Sequence, residues 1–266
     1  MTESPAASPA TAVSTAPTGV PTQQEEAEEK SSLDEDGGAV DKKFIELEQQ
    51  GIISPVQHSE WAAPLVCIPK KDGSVRICGD YKVTVNQWLG VDQYPLPKPQ
   101  DLFSTLAGGK HFTKLDLTQA YTQLDMDEKS KPFVTINTHR GLYVCNRLPH
   151  GVASAPAIFQ RSMDEVLQGL DGVVCYLDDI LITGTDTTAH LRNLKQVLQR
   201  LEEHGFRLNK EKCAFFQNSV AYLGHVIDAQ GVRPIKEKTE AIDKAPVPKN
   251  VTELRLYLGM LNYYGK

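Results

Sequence analysis

The chain has 266 residues, five cysteines and a formal net charge of −6, and 40% of its residues are hydrophobic. This length is enough for one or two packed domains. The cysteines are far apart, odd in number and without CxxC spacing, which argues against a zinc site and a disulfide framework and favours a reducing, intracellular compartment. The stretch MTESPAASPA lacks a basic n-region and an apolar h-region, and no eighteen apolar residues run together, so secretion and membrane insertion are not expected.

The acidic charge is concentrated at the N-terminus. Residues 1–41 are rich in Pro, Ala, Ser, Thr and Glu, and they hold nine acids against one base. This segment therefore carries −8 and the remainder +2, so the folded part is compatible with a nucleic-acid partner. Such a composition predicts a disordered tail, acting either as a regulatory acidic arm or, more simply, as a solvated linker.

The first predicted elements are a short helix and a hairpin. Structure is expected to begin near Asp41 with a helix that ends at Gly51. Residues 65–69 and 74–78 have strand composition, and the Asp-Gly pair in the turn 71–73 favours a hairpin. After the Pro-broken segment YPLPKP, residues 111–117 are predicted as a strand. Its period of two places one set on one face, Phe112, Lys114 and Asp116, and another on the opposite face, Thr113, Leu115 and Leu117.

Helical patterns follow. Ser154 and Pro156 are typical of a helix start, and an apolar stripe follows them: Phe159, Met163, Val166, Leu167 and Leu170. A second helix is predicted over 188–204, ending at Gly205, with the stripe Leu191, Leu194, Leu198 and Leu201. Residues 220–228 are a strand candidate and 252–264 a helix. This irregular alternation, with at least two hairpins, indicates an α+β fold with a largely antiparallel sheet.

The stretch VVCYLDDILIT, residues 173–183, contains two adjacent aspartates within an apolar, β-branched run. We expect two strands, 173–177 and 180–183, with Asp178 and Asp179 between them. Asp-Asp is a poor choice for a two-residue turn, and two charges about 4 Å apart repel by roughly 4 kcal/mol at an effective dielectric of 20. The pair is either a tolerated exposed turn or, with Asp116 from the upstream strand, an oxygen-ligand site for divalent cations, which indicates polymerase or nuclease chemistry.

Three motifs carry a family resemblance: KLDLTQAY at 114–121, LPHGVASAPAIFQR at 148–161 and YLDD at 176–179. Their order and spacing resemble reverse transcriptases, most of all those of gypsy-type LTR retrotransposon polyproteins, over residues 42–266. The resemblance implies a right-hand polymerase: fingers at 42–98 and 124–154, palm at 99–123 and 155–232, and the start of a truncated thumb at 233–266, after the tail at 1–41.

The resemblance also implies site residues. Asp116, Asp178 and Asp179 match the catalytic carboxylates that bind two Mg²⁺ ions, for which Mn²⁺ substitutes, and Asp179 has the weakest direct role. The matches to nucleotide-binding positions are Lys70, Arg76, Gln119, Ala120, Tyr121 and His150, of which Tyr121 excludes a 2′-hydroxyl. The matches to template and primer positions are Gly151, Tyr176, Leu223 and Gly224. His150 replaces the usual glutamine or phenylalanine, and Lys82 replaces the usual arginine.

The implied function is RNA-directed DNA polymerisation, with a primed RNA or DNA template and dNTPs as partners. We expect no RNase H region in this chain, and low processivity from the incomplete thumb. Two alternatives stay open at this point: a non-catalytic nucleic-acid-binding remnant, and an RNA-templated RNA polymerase, which the bulky Tyr121 disfavours.

Overall fold

The computed structural model describes residues 38–70, 74–90 and 94–264. The predicted turn at 71–73 and the predicted tail up to residue 37 lie outside these residues. A helix already occupies 38–49, and Val40 is buried. The prediction that the tail extends to residue 41 is therefore wrong for residues 38–41, because Ala39 and Val40 pack on the core.

Within the described ranges the chain forms twelve strands, six α-helices and several short 3-10 helices. The strands are β1 (Ile53–Val56), β2 (Ala63–Pro69), β3 (Val75–Gly79), β4 (His111–Asp116), β5 (Ile136–Thr138), β6 (Gly141–Cys145), β7 (Val173–Tyr176), β8 (Asp179–Gly184), β9 (Ala214–Gln217), β10 (Ser219–Tyr222), β11 (His225–Asp228) and β12 (Gly231–Pro234). The α-helices are α1 (38–49), α2 (Pro99–Leu106), α3 (Ala155–Val166), α4 (Thr187–Glu203), α5 (Lys236–Asp243) and α6 (Val251–Tyr264). The 3-10 helices are Tyr81–Val83, Val85–Gln87, Ala120–Gln123, Lys131–Val134 and Lys210–Lys212.

A five-stranded sheet has the order β1-β6-β5-β2-β3, in which only the β2–β5 pair is parallel. The predicted β2–β3 hairpin is confirmed, with Cys67 opposite Ile77. α1 packs on this sheet through Phe44, whose ring centroid lies 5.3 Å from that of Tyr143. Tyr81 is buried in the same core and donates a hydrogen bond to the Val134 carbonyl oxygen at 3.2 Å.

The four-stranded sheet, with antiparallel order β7-β8-β4-β9, holds the acidic motifs. Leu115 and its neighbours in β8 are buried against α3 and α4, whereas Phe112 and Leu181 belong to a cluster with α2 and the three-stranded sheet. The predicted alternation along β4 is therefore confirmed. Lys114 and Asp116 lie on the face opposite the long helices, at the end that is only partly covered.

The two long helices were predicted with different success. In α3 the apolar stripe is confirmed, and Pro156 lies in the first turn, although the Ser154 side chain makes no capping hydrogen bond. The stripe predicted for α4 is confirmed for Leu194 and Leu201 and wrong for the other two leucines, since Leu191 is 51% exposed and Leu198 36% exposed. The buried face also contains His190, Asn193 and Val197, because His190 and Asn193 bond to the sheet.

The single strand predicted over 220–228 is wrong, because this segment is the β10–β11 hairpin of a three-stranded sheet with β12. The two turn residues, Leu223 and Gly224, have φ of 46° and 75°. The C-terminal helix is confirmed as α6, although its leucines are exposed. None of the helices in the described ranges is long and apolar enough to span a bilayer.

Candidate active site

β7 and β8 form the hairpin that carries the paired aspartates. Tyr176 is opposite Asp179, so the two turn residues are Leu177 and Asp178. The predicted turn of Asp178 and Asp179 is therefore wrong by one residue, and Asp179 begins β8. We call β7, β8 and this turn the Asp178 hairpin. Leu177 has a φ of 56°, a conformation that costs free energy in a residue other than glycine.

The Asp178 hairpin and β4 bring the three carboxylates to one edge of the sheet. Asp116, the last residue of β4, is directly opposite Asp179, and Asp178 follows at the adjoining turn. Burial is the largest influence on Asp116 and raises the pKa of its carboxyl; Asp178 and Asp179 raise that pKa further. The strand register therefore places acids from distant parts of the chain at one edge of the sheet, and their joint role as metal ligands stays a prediction.

Two lysines oppose this negative charge. Lys114 Nζ lies 2.9 Å from Asp179 Oδ2, and Lys212 Nζ lies 3.8 Å from Asp116 Oδ1. Both lysines lower the pKa of Asp116, against the effect of burial and of the other acids. Lys212 was not singled out in the sequence; its position four residues after Leu208, whose backbone bridges to Leu117, becomes visible only in the fold.

The carboxylates suit a hard divalent cation, because such ions prefer oxygen ligands. Within the part of the chain that the structure describes, however, no three acidic, histidine or cysteine side chains are grouped closely enough to hold an ion together. The Asp179 carboxylate is instead engaged by Lys114. Carboxylate oxygens are thus present at this edge, with Asp179 paired to Lys114 and Asp116 near Lys212, and binding of a metal by Asp116 and Asp178 stays a prediction.

The turn of the Asp178 hairpin is held by Gln160, a residue that the sequence analysis missed. Gln160 lies on α3 and is fully buried. Its Oε1 accepts a hydrogen bond from the Leu177 backbone N–H at 2.7 Å, and its Nε2 donates to the Cys175 carbonyl oxygen at 3.1 Å. A single amide thus binds the N–H of the strained residue and the carbonyl oxygen two residues before it. The available signal was a glutamine inside the apolar stripe of α3, three residues before Met163.

The end of β4 is fixed by the segment after α4. The Asn209 backbone N–H donates to the Asp116 carbonyl oxygen at 2.9 Å, and the Asp116 N–H donates to Cys213 Sγ at 3.5 Å. After the strand, Gln119 adopts a φ of 47° and leads into the 3-10 helix that contains Tyr121. The N–H and the carbonyl oxygen of Asp116 are thus both bonded, which fixes its backbone. The path of the chain from the end of β4 to Tyr121 is set by this backbone and by the conformation of Gln119.

Tyr121 is held between two rings beside the carboxylates. Its ring centroid lies 4.9 Å from that of His150 and 5.2 Å from that of Phe159. Burial raises the pKa of Tyr121, and the charge of Asp178 raises it further. Burial lowers the pKa of His150; Arg76 lowers it further and Asp178 opposes this change. Four predicted residues, Tyr121, His150, Arg76 and Asp178, therefore share one electrostatic environment.

The other predicted nucleotide contacts are Lys70, Gln119 and Ala120. Lys70 is exposed at the end of β2, where its backbone N–H donates to the Ser74 carbonyl oxygen at 2.8 Å. Gln119 is exposed and Ala120 is buried. The roles of these residues stay predictions.

Gly151 has a structural reason of its own for lacking a side chain. A Cβ there would lie 3.1 Å from the Gly79 carbonyl oxygen and 3.3 Å from the Tyr81 ring, and φ is +96°. In addition, Asn86 Nδ2 donates to the Gly151 carbonyl oxygen at 2.8 Å. The absence of a side chain therefore lets the loop before α3 pack closely on the end of the five-stranded sheet. This reason for a glycine is independent of its predicted contact with a template.

The predicted primer contacts, Leu223 and Gly224, form the β10–β11 turn near the Asp178 hairpin. Leu223 and Tyr176 pack against the same hydrophobic cluster. Tyr263 of α6 donates its hydroxyl to the Leu223 carbonyl oxygen at 2.9 Å, and a Cβ on Gly224 would lie 2.8 Å from the Tyr264 hydroxyl oxygen. The turn thus faces both the hairpin and the C-terminal helix.

Comparison with known proteins identifies the family. The family model described as reverse transcriptase (RNA-dependent DNA polymerase) matches residues 68–227. The chain therefore belongs to the reverse transcriptase family, whose members generally use divalent metal ions. The predicted relationship to LTR retrotransposon polyproteins is confirmed, and the gypsy type stays a prediction.

The relatives are much longer than this chain. It is 39% identical over 230 residues to an uncharacterized protein of Caenorhabditis elegans, a match that covers 86% of this chain and 18% of that protein. It is 37% identical over 236 residues to the retrovirus-related Pol polyprotein from transposon opus of Drosophila melanogaster, covering 86% and 23%. The structure of the foamy viral protease-reverse transcriptase with double-stranded DNA aligns with a TM-score of 0.76 at 25% identity, covering 85% of this chain and 40% of that one. The predicted α+β polymerase fold is confirmed.

Proposed function

We propose that this chain is the polymerase part of a retrotransposon-derived polyprotein and that it adds deoxynucleotides to a primer 3′-hydroxyl on an RNA or DNA template. The observation that supports this most is the convergence of Asp116, Asp178 and Asp179 at one sheet edge, in a chain of the reverse transcriptase family. An intracellular place of action accompanies this proposal and stays a prediction.

The acidic residues have defined tasks in this proposal. Asp116 and Asp178 would hold two Mg²⁺ ions, or Mn²⁺ in their place, with Asp179 contributing least because Lys114 engages it. When bound, the ions would activate the primer 3′-hydroxyl and neutralise the α-phosphate and the leaving pyrophosphate. Asp116 must be ionised to serve as a ligand, and Lys212 favours the ionised form by lowering the pKa that burial raises.

The surrounding residues would select and hold the substrates. Lys70 and Arg76 are exposed and would bind the triphosphate as a point charge and as a bidentate fork. Tyr121, fixed between His150 and Phe159, would exclude a 2′-hydroxyl by its bulk. The predicted template and primer contacts would lie on either side: Gly151, Tyr176, Leu223 and Gly224.

A single-nucleotide incorporation assay tests the proposal. The wild-type chain, with Mg²⁺ or Mn²⁺ and a primed RNA or DNA template, should add a dNTP in preference to the matching rNTP. Asp178→Asn should reduce the rate more than about 100-fold, because even outer-shell changes at metal sites reduce activity by about 10- to 100-fold. The matched control is Asp171→Asn, at an exposed aspartate before β7, which should act as wild type.

The ion pair between Lys114 and Asp179 also supports a second candidate, a non-catalytic nucleic-acid-binding domain, because it leaves fewer free ligands for a metal. The same assay separates the two. A wild-type chain that binds primed duplex but adds no nucleotide with either metal favours the binding domain. Equal use of dNTPs and rNTPs would instead contradict the role of Tyr121.

A further inference from the structure

The backbone at Leu177 needs support from outside the turn. A leucine with positive φ is held in an unfavourable conformation, which persists only where the surroundings over-determine it. Gln160 provides this support through bonds to the Leu177 N–H and the Cys175 carbonyl oxygen. Since Asp178 is the next residue, the orientation of the Gln160 amide sets where the backbone of Asp178 begins.

The Gln160 amide is in turn fixed by Asp164, one helical turn later on α3. Nε2 of Gln160 donates to Asp164 Oδ1 at 2.9 Å as well as to the Cys175 carbonyl oxygen. Both amide hydrogens are therefore used, and a flipped amide would place N–H against the Leu177 N–H. The Asp164 carboxylate, which accepts the second hydrogen, thus keeps the amide in the orientation that the turn requires.

Asp164 is fixed by Tyr94, from a separate segment. The Tyr94 hydroxyl donates to Asp164 Oδ2 at 2.6 Å, and the guanidinium carbon of Arg161 lies 5.2 Å from the centroid of the Tyr94 ring. The hydrogen bond to Asp164 is the main cause that raises the pKa of Tyr94, so the hydroxyl stays a donor. A chain of hydrogen bonds therefore runs from the Tyr94 hydroxyl through Asp164 and Gln160 to the turn of the Asp178 hairpin.

The segment that carries Tyr94 is stiff and anchored. Prolines alternate after it in YPLPKP, and each fixes its own φ and disfavours helix in the residue before it. The segment then enters α2 at Pro99, and Leu102 and Leu106 of this helix are buried against a cluster that includes Val174 of β7. Tyr94 thus lies in a short segment that leads directly into a helix packed on the Asp178 hairpin.

We propose that Tyr94 and Asp164 are positioning residues that act through Gln160 to hold the backbone of Leu177 and thereby the carboxylate of Asp178. We call the series Tyr94, Asp164, Gln160 and Leu177 the hairpin relay. Its kinetic consequence rests on the proposed polymerase function, whereas its effect on the Leu177 amide does not.

The test combines Tyr94→Phe, Asp164→Asn and the double variant, with Tyr143→Phe in the five-stranded sheet as a matched removal of a hydroxyl. Hydrogen exchange of the Leu177 amide, followed by NMR on leucine-labelled full chain, reports the relay directly. Single-turnover incorporation at saturating dNTP reports the position of Asp178. Tyr94→Phe should speed exchange at Leu177 and slow incorporation by about 2- to 10-fold, the usual range for one lost hydrogen bond, without changing the dNTP concentration for half-maximal rate.

The double variant decides whether the residues act in series. If they do, Tyr94→Phe adds nothing to Asp164→Asn, whereas independent contributions would add and would overturn the relay. Unchanged Leu177 exchange in Tyr94→Phe and in Asp164→Asn would also overturn it. If the wild-type chain adds no nucleotide, the proposed function fails, and the exchange measurement alone still decides the relay.

Discussion

Lys114 offsets part of the negative charge at the carboxylate edge of the sheet when no metal is bound. Three acids at one sheet edge repel one another, and burial of Asp116 strengthens this effect. The ion pair of Lys114 with Asp179 spans neighbouring strands, and both side chains are about 30% exposed or less. Partial burial makes such a pair more effective than one in open solvent. We therefore assign Lys114 the task of balancing Asp179 in the metal-free protein.

Substitution of Lys114 by methionine tests this assignment. Lys114→Met keeps the length of the side chain and removes its charge, so the three acids lose a counter-charge. The metal-free variant should be less stable than wild type by about 1 kcal/mol, the upper range for a partly exposed pair. Mg²⁺ should raise its melting temperature more than that of wild type, because binding to the folded state then relieves more repulsion. Thermal unfolding with chelator and with Mg²⁺ measures both effects.

Lys43→Met is the matched control, because Lys43 also forms a 2.9 Å pair, with Glu46 on α1. This variant should show the same response to Mg²⁺ as wild type. An equal Mg²⁺ response in Lys114→Met would contradict a balancing role for Lys114.

At the residue scale, the sequence predicted which face of a strand a side chain occupies better than which side chain it pairs with. The period of β4 placed Lys114 and Asp116 together correctly, because side chains of a strand alternate. The pairing of Lys114 with Asp179 depends on the register between β4 and β8, which no local pattern contains. The turn was misplaced by one residue for a related reason: Leu177 takes positive φ, and the residue that binds its N–H, Gln160, lies seventeen residues earlier.

At the scale of elements, α4 shows why apolar spacing alone misjudged a helix. Leucine spacing favoured a face that includes Leu191, but His190 occupies the interface. Its Nε2 is 2.8 Å from Thr113 Oγ1, and Asn193 Nδ2 donates to the Thr183 carbonyl oxygen at 2.9 Å. Polar groups of the sheet thus set the rotation of α4, and hydrophobic periodicity does not contain this information.

Acid should weaken the docking of α4. Burial, with a smaller contribution from His111, lowers the pKa of His190, and its Nδ1 has no hydrogen-bond partner among the described residues. The folded chain favours the neutral imidazole, whereas in the unfolded chain the imidazole has the ordinary histidine pKa of about 6.5. The unfolded state therefore binds more protons below that pH, and stability falls as pH decreases from about 6.5.

Urea unfolding between about pH 7.5 and 5 measures this dependence. His190→Gln, which has no titrating group, should lower stability at neutral pH but flatten the decline toward acid. His58→Gln removes an exposed histidine and should keep the decline of wild type. A decline that is as steep in His190→Gln as in wild type would assign the acid sensitivity to other groups.

At the scale of the molecule, Tyr121 joins two cores. It packs against the cluster of the five-stranded sheet and also against that of the four-stranded sheet. The family resemblance predicted its place beside the carboxylates, and composition alone would have predicted an ordinary core tyrosine. The general architecture was thus accessible from motifs in order along the chain. The division of 220–228 into two strands was not, because Leu223 as well as Gly224 takes positive φ at the turn.

The C-terminal helix is attached differently from the rest of the fold. No described residue of α6 is buried, and its contacts with the β10–β11 turn run through Tyr263, Tyr264 and the His225 ring, whose centroid is 5.7 Å from that of Tyr263 and 5.5 Å from that of Tyr264. Few buried apolar contacts indicate a low free energy of local opening. We therefore expect α6 to open independently of the sheets.

Hydrogen exchange read by mass spectrometry tests this expectation. In wild type, amides of α6 should exchange faster than those of β4 and β8. Tyr263→Ala with Tyr264→Ala should speed exchange in α6 by about 10-fold or more, because each ring contact contributes roughly 0.5–1.5 kcal/mol and one hydrogen bond about 1 kcal/mol. The sheets should be unaffected. Tyr257→Ala, on the same helix, controls for helix propensity. Equal acceleration in this control would mean that the tyrosines at the turn do not anchor α6, and slow exchange in wild type would mean that α6 opens only when the whole chain unfolds.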